Sequence, residues 1–375
     1  MASPKIKLEG RLKDANMSLA TDPRMNPKML AAMAPLGGGA HVPVSAVTAN
    51  SPWDHRWGFT KKAHKMVTLT YNAFPVDLPS DAVMLASLDE TTTTIKGVDD
   101  NDIKLHIFRP RNASGPLPCV IYTHGGGMTI ATTYNPVHAF WIRSIASLGC
   151  VGVMVDYRNA YGAADGVHNP FPKGLNDCSS ALDWVHAHRG DLGISKIVIQ
   201  GESGGGNLAI STALKAKREG RLAAVDGVYG SVPFISGAYG WSRERMLAEL
   251  PSLIENNGYY LDTAQMAIFV TMLDPNGEHA TDPLLWPLNA TEQELRGYPP
   301  TVISVNELDP LRDEGMVFYT KLAKAGVKVI GRTNLGIIHA AEMTFRKALP
   351  EVFWAAVKDI KMFADSLGKD EAAKL

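Results

Sequence analysis

The segment Val198–Ala209 reads VIQGESGGGNLA and places a serine at an abrupt change of sequence pattern. The residues before Ser203 are apolar and β-branched, which is typical of a buried strand, and the residues after it are typical of a helix. Gly201 and Gly205 flank the serine in the pattern G-x-S-x-G, and glycine lets a strand and a helix pack closely around a sharp turn. The segment predicts a strand–serine–helix turn that exposes a nucleophile. A small polar residue in a tight bend is the alternative.

The chain on either side of this segment repeats the same alternation. From about residue 90, apolar strand patterns alternate with amphipathic helix patterns, and VDDND at 98–102 separates two β-rich runs. Continuous apolar strands between helices predict a mainly parallel, doubly wound α/β sheet, and the turn-rich segment predicts an antiparallel hairpin at its edge.

One segment interrupts the alternation. Residues 234–288 contain helical patterns and no clear strand, and they are long for a connection inside a compact domain. We expect them to form a helical cap together with an N-terminal segment, 1–60. Residues 61–233 and 289–375 are then the two parts of the catalytic core. A structural packing layer is the alternative role for the insertion.

Composition excludes several classes of function. The 375 residues carry a formal net charge of -1, so no strong field favours nucleic acid or anionic lipid. The N-terminal twenty residues mix charges throughout and have no apolar stretch, so we expect no signal peptide and a cytoplasmic location. The chain has no run of 18 apolar residues, so we expect no membrane span. Three cysteines suggest buried reduced thiols rather than a disulfide framework.

A second glycine-rich motif follows an earlier strand. Residues 123–128 read THGGGM after the apolar run CVIY. Consecutive glycines let backbone N–H groups approach a substrate, as an oxyanion hole requires, and we expect His124 to anchor this loop by hydrogen bonds. A flexible loop or a phosphate cradle is the alternative, but the lysine and the Ser/Thr of a P-loop are absent.

A serine nucleophile needs a base, and the base needs a carboxylate that orients it. His339 follows the strand-like run VKVIGR, and Asp309 follows TVISV, so the chain order is Ser, Asp, His. Pro310 favours a rigid turn after the strand, which suits a fixed carboxylate at Asp309. Other acidic residues close to this turn are Glu307, Asp313 and Glu314.

The motifs HGGG, GESGGGN and DPLRDEG, together with the downstream histidine, resemble the hormone-sensitive-lipase-like branch of the α/β-hydrolases. These proteins are mainly carboxylesterases, and the combination is most similar to bacterial esterases related to brefeldin A esterase. The resemblance extends from about Ile107 to Ala340. It implies an eight-stranded α/β-hydrolase sheet and a cap formed by the two segments described above.

The same resemblance implies roles for individual residues. Ser203 would be the nucleophile, Asp309 the acid and His339 the base of a catalytic triad. The oxyanion hole would be built by four glycines, of which Gly125 supports the loop and three supply backbone donors: Gly126, Gly127 and Gly204.

This chain departs from the commoner family patterns GDSAGGN and GTSAGGN at Glu202 and Gly204. We expect the Glu202 carboxylate to support the loops around His339 or Asp309, or to be a structural carboxylate. We assign it no direct catalytic role.

The sequence therefore predicts a serine carboxylesterase acting on short- to medium-chain or bulky carboxylic esters. We expect this enzyme to need no cofactor. His186 and His188 are two residues apart on a helical pattern and so face different sides of the helix, and we therefore expect no metal site there. The expected partner is a small-molecule ester, without nucleic acid or membrane, and a homodimer stays open. The alternatives are an amidase or deacetylase with the same triad, a non-catalytic small-molecule receptor, and a lyase on the same fold.

Overall fold

The computed structural model describes residues 14, 16–34, 37–40, 42, 45–74, 76 and 78–368. Within these residues, eight strands form one sheet. The strands are β1 Leu88–Lys96, β2 Asp102–Pro110, β3 Leu117–Thr123, β4 Val151–Val155, β5 Ile194–Glu202, β6 Gly227–Ser231, β7 Thr301–Asn306 and β8 Val329–Asn334.

The α-helices of the described residues precede, connect and follow these strands. They are α1 Pro27–Met33, α2 Trp53–Ala73, α3 Ala82–Ala86, α4 Pro136–Ser147, α5 Lys173–Ala187, α6 Gly204–Arg218, α7 Arg243–Glu249, α8 Ser252–Glu255, α9 Thr263–Leu273, α10 Glu292–Leu295, α11 Arg312–Lys324, α12 Ala341–Thr344 and α13 Pro350–Ser366.

The sheet has the strand order β1-β2-β4-β3-β5-β6-β7-β8. β1 and β2 pair antiparallel across the turn at 98–102, and β2 pairs antiparallel with β4. All remaining neighbours are parallel. The predicted mainly parallel sheet and its edge hairpin are therefore confirmed. The parallel arrangement brings the carboxyl ends of β5, β7 and β8 to the same edge of the sheet.

The core has two apolar layers, one on each face of the sheet. Ile121 and Ile199 pack with residues of α5, α6 and α11 on one face. Val120 and Val198, their chain neighbours, point to the opposite face and pack with Trp141 of α4 and residues of α13. Side chains alternate between faces along a strand, so a run that is apolar at every position satisfies both layers.

The insertion at 234–288 is helical, as predicted, and contains α7, α8 and α9. The division of the chain into cap and core segments remains a prediction. The N-terminal residues contact the insertion through Arg24, whose guanidinium donates to Asp22 and to Glu255 of α8. The N-terminal segment also contains the short helix α1, whose N-cap Asn26 accepts the Lys28 and Met29 amides. The first thirteen residues lie outside the described residues.

Helix α2 was not predicted. Of its 21 residues, only Thr60 is buried, and apolar and polar side chains are distributed around the helix without a clear stripe. A helix held by scattered aromatic contacts lacks the periodic signal on which sequence reasoning depends. Its contacts include Trp53 and Trp57 stacked together, with Trp57 edge-on to Tyr161.

The structure also bears on the cysteines and on membrane-spanning helices. The three cysteines, Cys119, Cys150 and Cys178, are free and buried, as predicted. Within the described ranges, no helix combines the length and the apolar character needed to cross a membrane.

Two helical glycines provide a matched test of the packing around the serine turn. A methyl group at Gly205 would lie 1.9 Å from the Thr123 carbonyl oxygen, whereas one at Gly58 in α2 would meet nothing within 4 Å. We expect Gly205→Ala to destabilise the fold by more than about 4 kcal/mol, because backbone must move. Gly58→Ala should stabilise it by about 0.5–1 kcal/mol.

Thermal melts followed by circular dichroism measure both variants against the wild type. Equal melting temperatures for Gly205→Ala and the wild type would contradict the close packing of α6 on β3.

Candidate active site

Ser203 lies at the junction of β5 and α6 in an unusual backbone conformation. Its φ of 57° and ψ of -122° place a non-glycine residue in a region that costs about 1–3 kcal/mol. The surrounding backbone holds it there. The Ser203 amide donates to the Ser231 carbonyl at 3.0 Å, and its own carbonyl accepts from the Phe234 amide at 3.0 Å. The predicted strand–serine–helix turn is confirmed, and the serine is half-buried at the carboxyl edge of the sheet.

The flanking glycines of this turn have no room for side chains. A methyl group at Gly201 would lie 2.3 Å from the Gly205 carbonyl oxygen and 2.5 Å from Thr123 Oγ1. Thr123 Oγ1 donates to the Gly205 carbonyl at 2.8 Å and binds the turn to the end of β3. The glycines are therefore required by close packing of strand, helix and the neighbouring strand.

The glycine loop after β3 lies against the start of α6. A methyl group at Gly204 would lie 2.8 Å from the Gly127 nitrogen, and one at Gly125 would lie 3.2 Å from Ser203 Cβ. Among the described residues, the amides of Gly126, Gly127 and Gly204 donate to no acceptor. These are the three amides predicted as oxyanion donors, and they lie together beside Ser203. Their catalytic role stays a prediction.

His124 anchors this loop, as predicted. Its Nδ1 lies 2.6 Å from the Gly125 carbonyl oxygen, and the Tyr157 hydroxyl donates to the His124 carbonyl at 2.7 Å. The ring is stacked between Tyr157 and His138, with centroid distances of 4.4 and 5.3 Å. Burial, followed by the proximity of His138, lowers the pKa of His124 well below its usual range, so the ring is neutral near pH 7.

The predicted acid and base are hydrogen-bonded to each other. His339 Nδ1 lies 2.7 Å from Asp309 Oδ2, and both side chains are buried. An ionised carboxylate only accepts, so Nδ1 carries the proton and Nε2 is the nitrogen left to act as a base. Asp309 Oδ1 also accepts the Leu311 amide at 2.9 Å, which fixes the orientation of the carboxylate.

The described contacts include no hydrogen bond from Ser203 Oγ to His339. Serine and base are often beyond hydrogen-bonding distance in proteins without bound substrate. The structure brings Asp309 and His339 together and places all three residues after β5, β7 and β8, whose carboxyl ends share one edge.

The three acidic neighbours of Asp309 have other partners. Glu307 accepts the Gly336 amide, and Asp313 accepts the Ser252 amide at 2.6 Å and pairs with Arg312. Glu314 accepts the amides of Ile235 and Ser236 and the Tyr239 hydroxyl. Among the described contacts, none of these carboxylates hydrogen-bonds to His339, which favours Asp309 as its partner.

The insertion holds the turn that carries Asp309, a role that sequence reasoning missed. The buried Asn256 side chain donates to the carbonyls of Glu307 and Asp309, both at 3.0 Å. The Ser252 hydroxyl donates to the Pro310 carbonyl at 2.7 Å. Buried polar side chains in SLIEN, residues 252–256, were the available signal, but their partners are more than fifty residues away. The insertion therefore supports the turn that carries Asp309.

The loop of His339 has its own buried support. The Asn306 side chain donates to the Ile338 carbonyl and to Glu342 Oε2, both at 2.8 Å. Burial raises the pKa of Glu342, and the Asn306 hydrogen bond partly offsets that rise. These contacts tie the end of β7 to the residues on either side of His339.

Glu202 binds the glycine loop. Its Oε1 accepts the Gly125 amide at 2.5 Å and the Tyr122 hydroxyl at 3.1 Å. The prediction that this carboxylate supports the loops around His339 or Asp309 is therefore wrong about its partner. Glu202 is the last residue of β5, and its side chain reaches Tyr122 near the end of the neighbouring strand β3 and Gly125 in the loop after that strand. Burial raises the pKa of Glu202 to about 8.

Potential metal ligands do not cluster in this region. Over the part of the chain that the structure describes, no group of three or more His, Cys, Asp and Glu side chains is arranged to hold a metal ion.

A model of the α/β-hydrolase fold family matches residues 120–343, which include the glycine loop, the serine turn and the acid–base pair. Among curated proteins, carboxylesterase NlhH of Mycobacterium tuberculosis is 31% identical over 263 residues, 67% of this chain and 74% of that protein. An arylesterase of Saccharolobus solfataricus is 29% identical over 70% of this chain and 81% of that protein.

Solved structures extend the similarity to nearly the whole chain. Brefeldin A esterase, described as a bacterial homologue of human hormone sensitive lipase, has 49% sequence identity and a TM-score of 0.92. The match covers 95% of this chain and 97% of that one. Esterase Est22 has 35% identity and a TM-score of 0.79, covering 92% of this chain and 99% of that one.

The buried Glu202 carboxyl makes folding stability depend on pH. Its pKa is about 8 in the folded chain and about 4.3 when unfolded, so the folded chain holds one more proton between these values. The contribution of Glu202 to stability therefore falls as pH rises from about 5 to about 8, by up to about 1.4 kcal/mol per pH unit.

Glu202→Gln removes this titration. We expect its melting temperature, relative to that of the wild type, to rise as pH increases from 5.5 to 8.5 in thermal melts. A difference that is constant over this range would contradict the raised pKa of Glu202.

Proposed function

Because the chain belongs to the α/β-hydrolase fold family and is an ester hydrolase like its relatives, we propose that it hydrolyses carboxylic esters through Ser203, His339 and Asp309. The observation that carries the proposal is the buried 2.7 Å hydrogen bond between His339 Nδ1 and Asp309 Oδ2, at the same sheet edge as the strained Ser203 turn. A base held by a fixed carboxylate is what a serine hydroxyl requires for activation.

In the proposed reaction, His339 Nε2 takes the proton of Ser203 Oγ as that oxygen attacks the ester carbonyl. The carbonyl oxygen becomes negative, and the free amides of Gly126, Gly127 and Gly204 donate to it. The protonated His339 then gives its proton to the leaving alcohol. Water, deprotonated by the same histidine, then attacks the acyl-enzyme, and His339 gives this proton to Ser203 Oγ as the carboxylic acid leaves. The N-terminal end of α6 adds partial positive charge next to the oxyanion.

Short- to medium-chain or bulky esters are the proposed substrates. Phe269 of α9 lies against the glycine loop, where its ring would be 3.1 Å from a methyl group at Gly127. Phe59 of α2 is next to it, with ring centroids 6.5 Å apart. These half-buried aromatic rings provide apolar surface close to the donors, and their proximity limits the space for a long chain.

Ser203→Ala tests the nucleophile. Removal of the hydroxyl eliminates the acyl-enzyme, so we expect hydrolysis of p-nitrophenyl acetate to fall by about 10⁴-fold or more. The release of p-nitrophenol measures the rate, and an unchanged circular dichroism spectrum shows that the fold is intact. Hydrolysis at the wild-type rate by Ser203→Ala would exclude this mechanism.

A substrate panel on the wild-type enzyme tests the substrate class. We expect kcat/KM to be highest for p-nitrophenyl esters of two to eight carbons and to drop for palmitate, since bulk near Phe269 excludes the longer chain. An amide and a lactone of the same acyl group complete the panel. A higher kcat/KM for the amide than for the ester would show that the enzyme is an amidase.

Asp309→Asn and Asp313→Asn decide which carboxylate orients the base. Asparagine at 309 no longer holds Nδ1–H as a charge-assisted acceptor, so we expect kcat to fall by about 10³- to 10⁴-fold. Asp313 contacts Ser252 and Arg312 instead of His339, and its variant should lose less than about tenfold. The p-nitrophenyl acetate assay measures kcat for both variants. A larger loss of kcat in Asp313→Asn than in Asp309→Asn would identify Asp313 as the acid.

A further inference from the structure

The position of the oxyanion donors depends on three successive peptide planes in the glycine loop. In a trans peptide the C=O and the following N–H lie in one plane and point in opposite directions, so fixing one group fixes the other. The first plane contains the His124 carbonyl and the Gly125 amide. The second contains the Gly125 carbonyl and the Gly126 amide, and the third contains the Gly126 carbonyl and the Gly127 amide.

The carbonyl oxygen of each plane is held by a contact with a side chain or with backbone amides. The Tyr157 hydroxyl donates to the His124 carbonyl, and His124 Nδ1 lies 2.6 Å from the Gly125 carbonyl. The amides of Thr129 and Ile130 donate to the Gly126 carbonyl at 3.1 and 3.0 Å. These contacts fix the orientation of the Gly126 and Gly127 amides, which donate to no acceptor among the described residues.

Among the contacts of the described residues, the first plane is the only one of these three that is also held through its N–H. Glu202 Oε1 accepts the Gly125 amide at 2.5 Å, so Glu202 and Tyr157 hold this plane from opposite sides. The Tyr122 hydroxyl, 3.1 Å from the same oxygen, fixes the carboxyl group in turn. The Gly125 amide, which precedes the free Gly126 and Gly127 amides, is therefore unavailable to a substrate.

We propose that Glu202 is a positioning residue that sets the first peptide plane of the glycine loop and, through it, the direction of the oxyanion donors. The inference rests on the proposed function. Glu202 is the chain neighbour of Ser203, so one short segment carries both the nucleophile and the support of its donors. A methyl group at Gly125 would lie 3.0 Å from Glu202 Oε1 and 3.2 Å from Ser203 Cβ, which shows how closely these groups pack.

If residue 202 served only the stability of the fold, a buried carboxyl group would be unfavourable at this position. It is buried, and among the described residues its Oε2 has no hydrogen-bond partner. A buried polar atom without a partner costs free energy, and such costs concentrate where function requires them. An oxygen acceptor is what the Gly125 amide needs, and a neutral carbonyl oxygen accepts as a carboxylate does.

Three variants separate positioning from folding. Glu202→Gln keeps an acceptor oxygen, whereas Glu202→Met keeps the volume and removes it. Glu314→Met is the matched control, because Glu314 is equally buried and also accepts backbone amides, those of Ile235 and Ser236, but does not contact the glycine loop. Steady-state hydrolysis of p-nitrophenyl acetate gives kcat and KM. Inhibition by phenylboronic acid, whose boron becomes tetrahedral on Ser203 Oγ, measures binding of a transition-state mimic.

We expect Glu202→Met to lower kcat by about 10- to 100-fold with little change in KM, and to weaken phenylboronic acid by the same factor. Glu202→Gln should stay within about threefold of the wild type in both measurements. Glu314→Met should keep kcat per folded molecule, with folded protein quantified by thermal melts. If Glu202→Met does not fold, Glu202→Ala, which opens space for a water at the Gly125 amide, should change kcat and inhibition in the same direction.

Three results would overturn the inference: wild-type kcat in the Met or Ala variant, a loss of kcat without weaker phenylboronic acid binding, or an equal loss in Glu314→Met. Failure of the proposed function looks different. In that case the wild type itself does not hydrolyse the ester, or Ser203→Ala hydrolyses it as well as the wild type does.

Discussion

The close contact between α6 and the end of β3 is the constraint on which the site depends. Gly205 packs on the Thr123 carbonyl with no space for a Cβ, and this contact brings the serine turn and the glycine loop together. Ser203 adopts a positive φ that two backbone hydrogen bonds maintain, one to Ser231 at the end of β6 and one from Phe234. Backbone strain at Ser203 is offset by the surrounding sheet, which is rigid because apolar layers cover both faces.

Polar contacts then orient the groups that this packing brings close. Buried hydrogen bonds are strong when their partners are matched and costly when they are not, so each functional group has a neighbour that fixes it. Asp309 orients His339, Asn256 holds the Asp309 turn, and Glu202 with His124 holds the glycine loop. Asn256 belongs to the insertion at 234–288, so that insertion contributes to the position of the Asp309 turn.

Much of the fold and the site was predictable because the relevant signals are local. The motifs around Ser203, the glycine loop and the turn at Asp309 each follow an apolar strand, and parallel strands end at one edge. The chain order of the three residues then narrows the assignment of acid and base. Helix α2 was not predictable, because it packs through scattered aromatic rings and only Thr60 is buried.

The sequence by itself determined the alternation of strands and helices after about residue 90, the sheet class and the identity of the residues at the carboxyl edge, because these follow from periodicity and short motifs. Only the tertiary structure decided which side chains touch. Glu202 was expected near His339 or Asp309, yet it binds the Gly125 amide, 77 positions earlier in the chain. The partner of a buried carboxylate depends on which strands are neighbours and on the direction of the side chain at the strand end. β3 and β5 are adjacent in the sheet although β4 separates them in sequence, and that adjacency is a property of the assembled sheet.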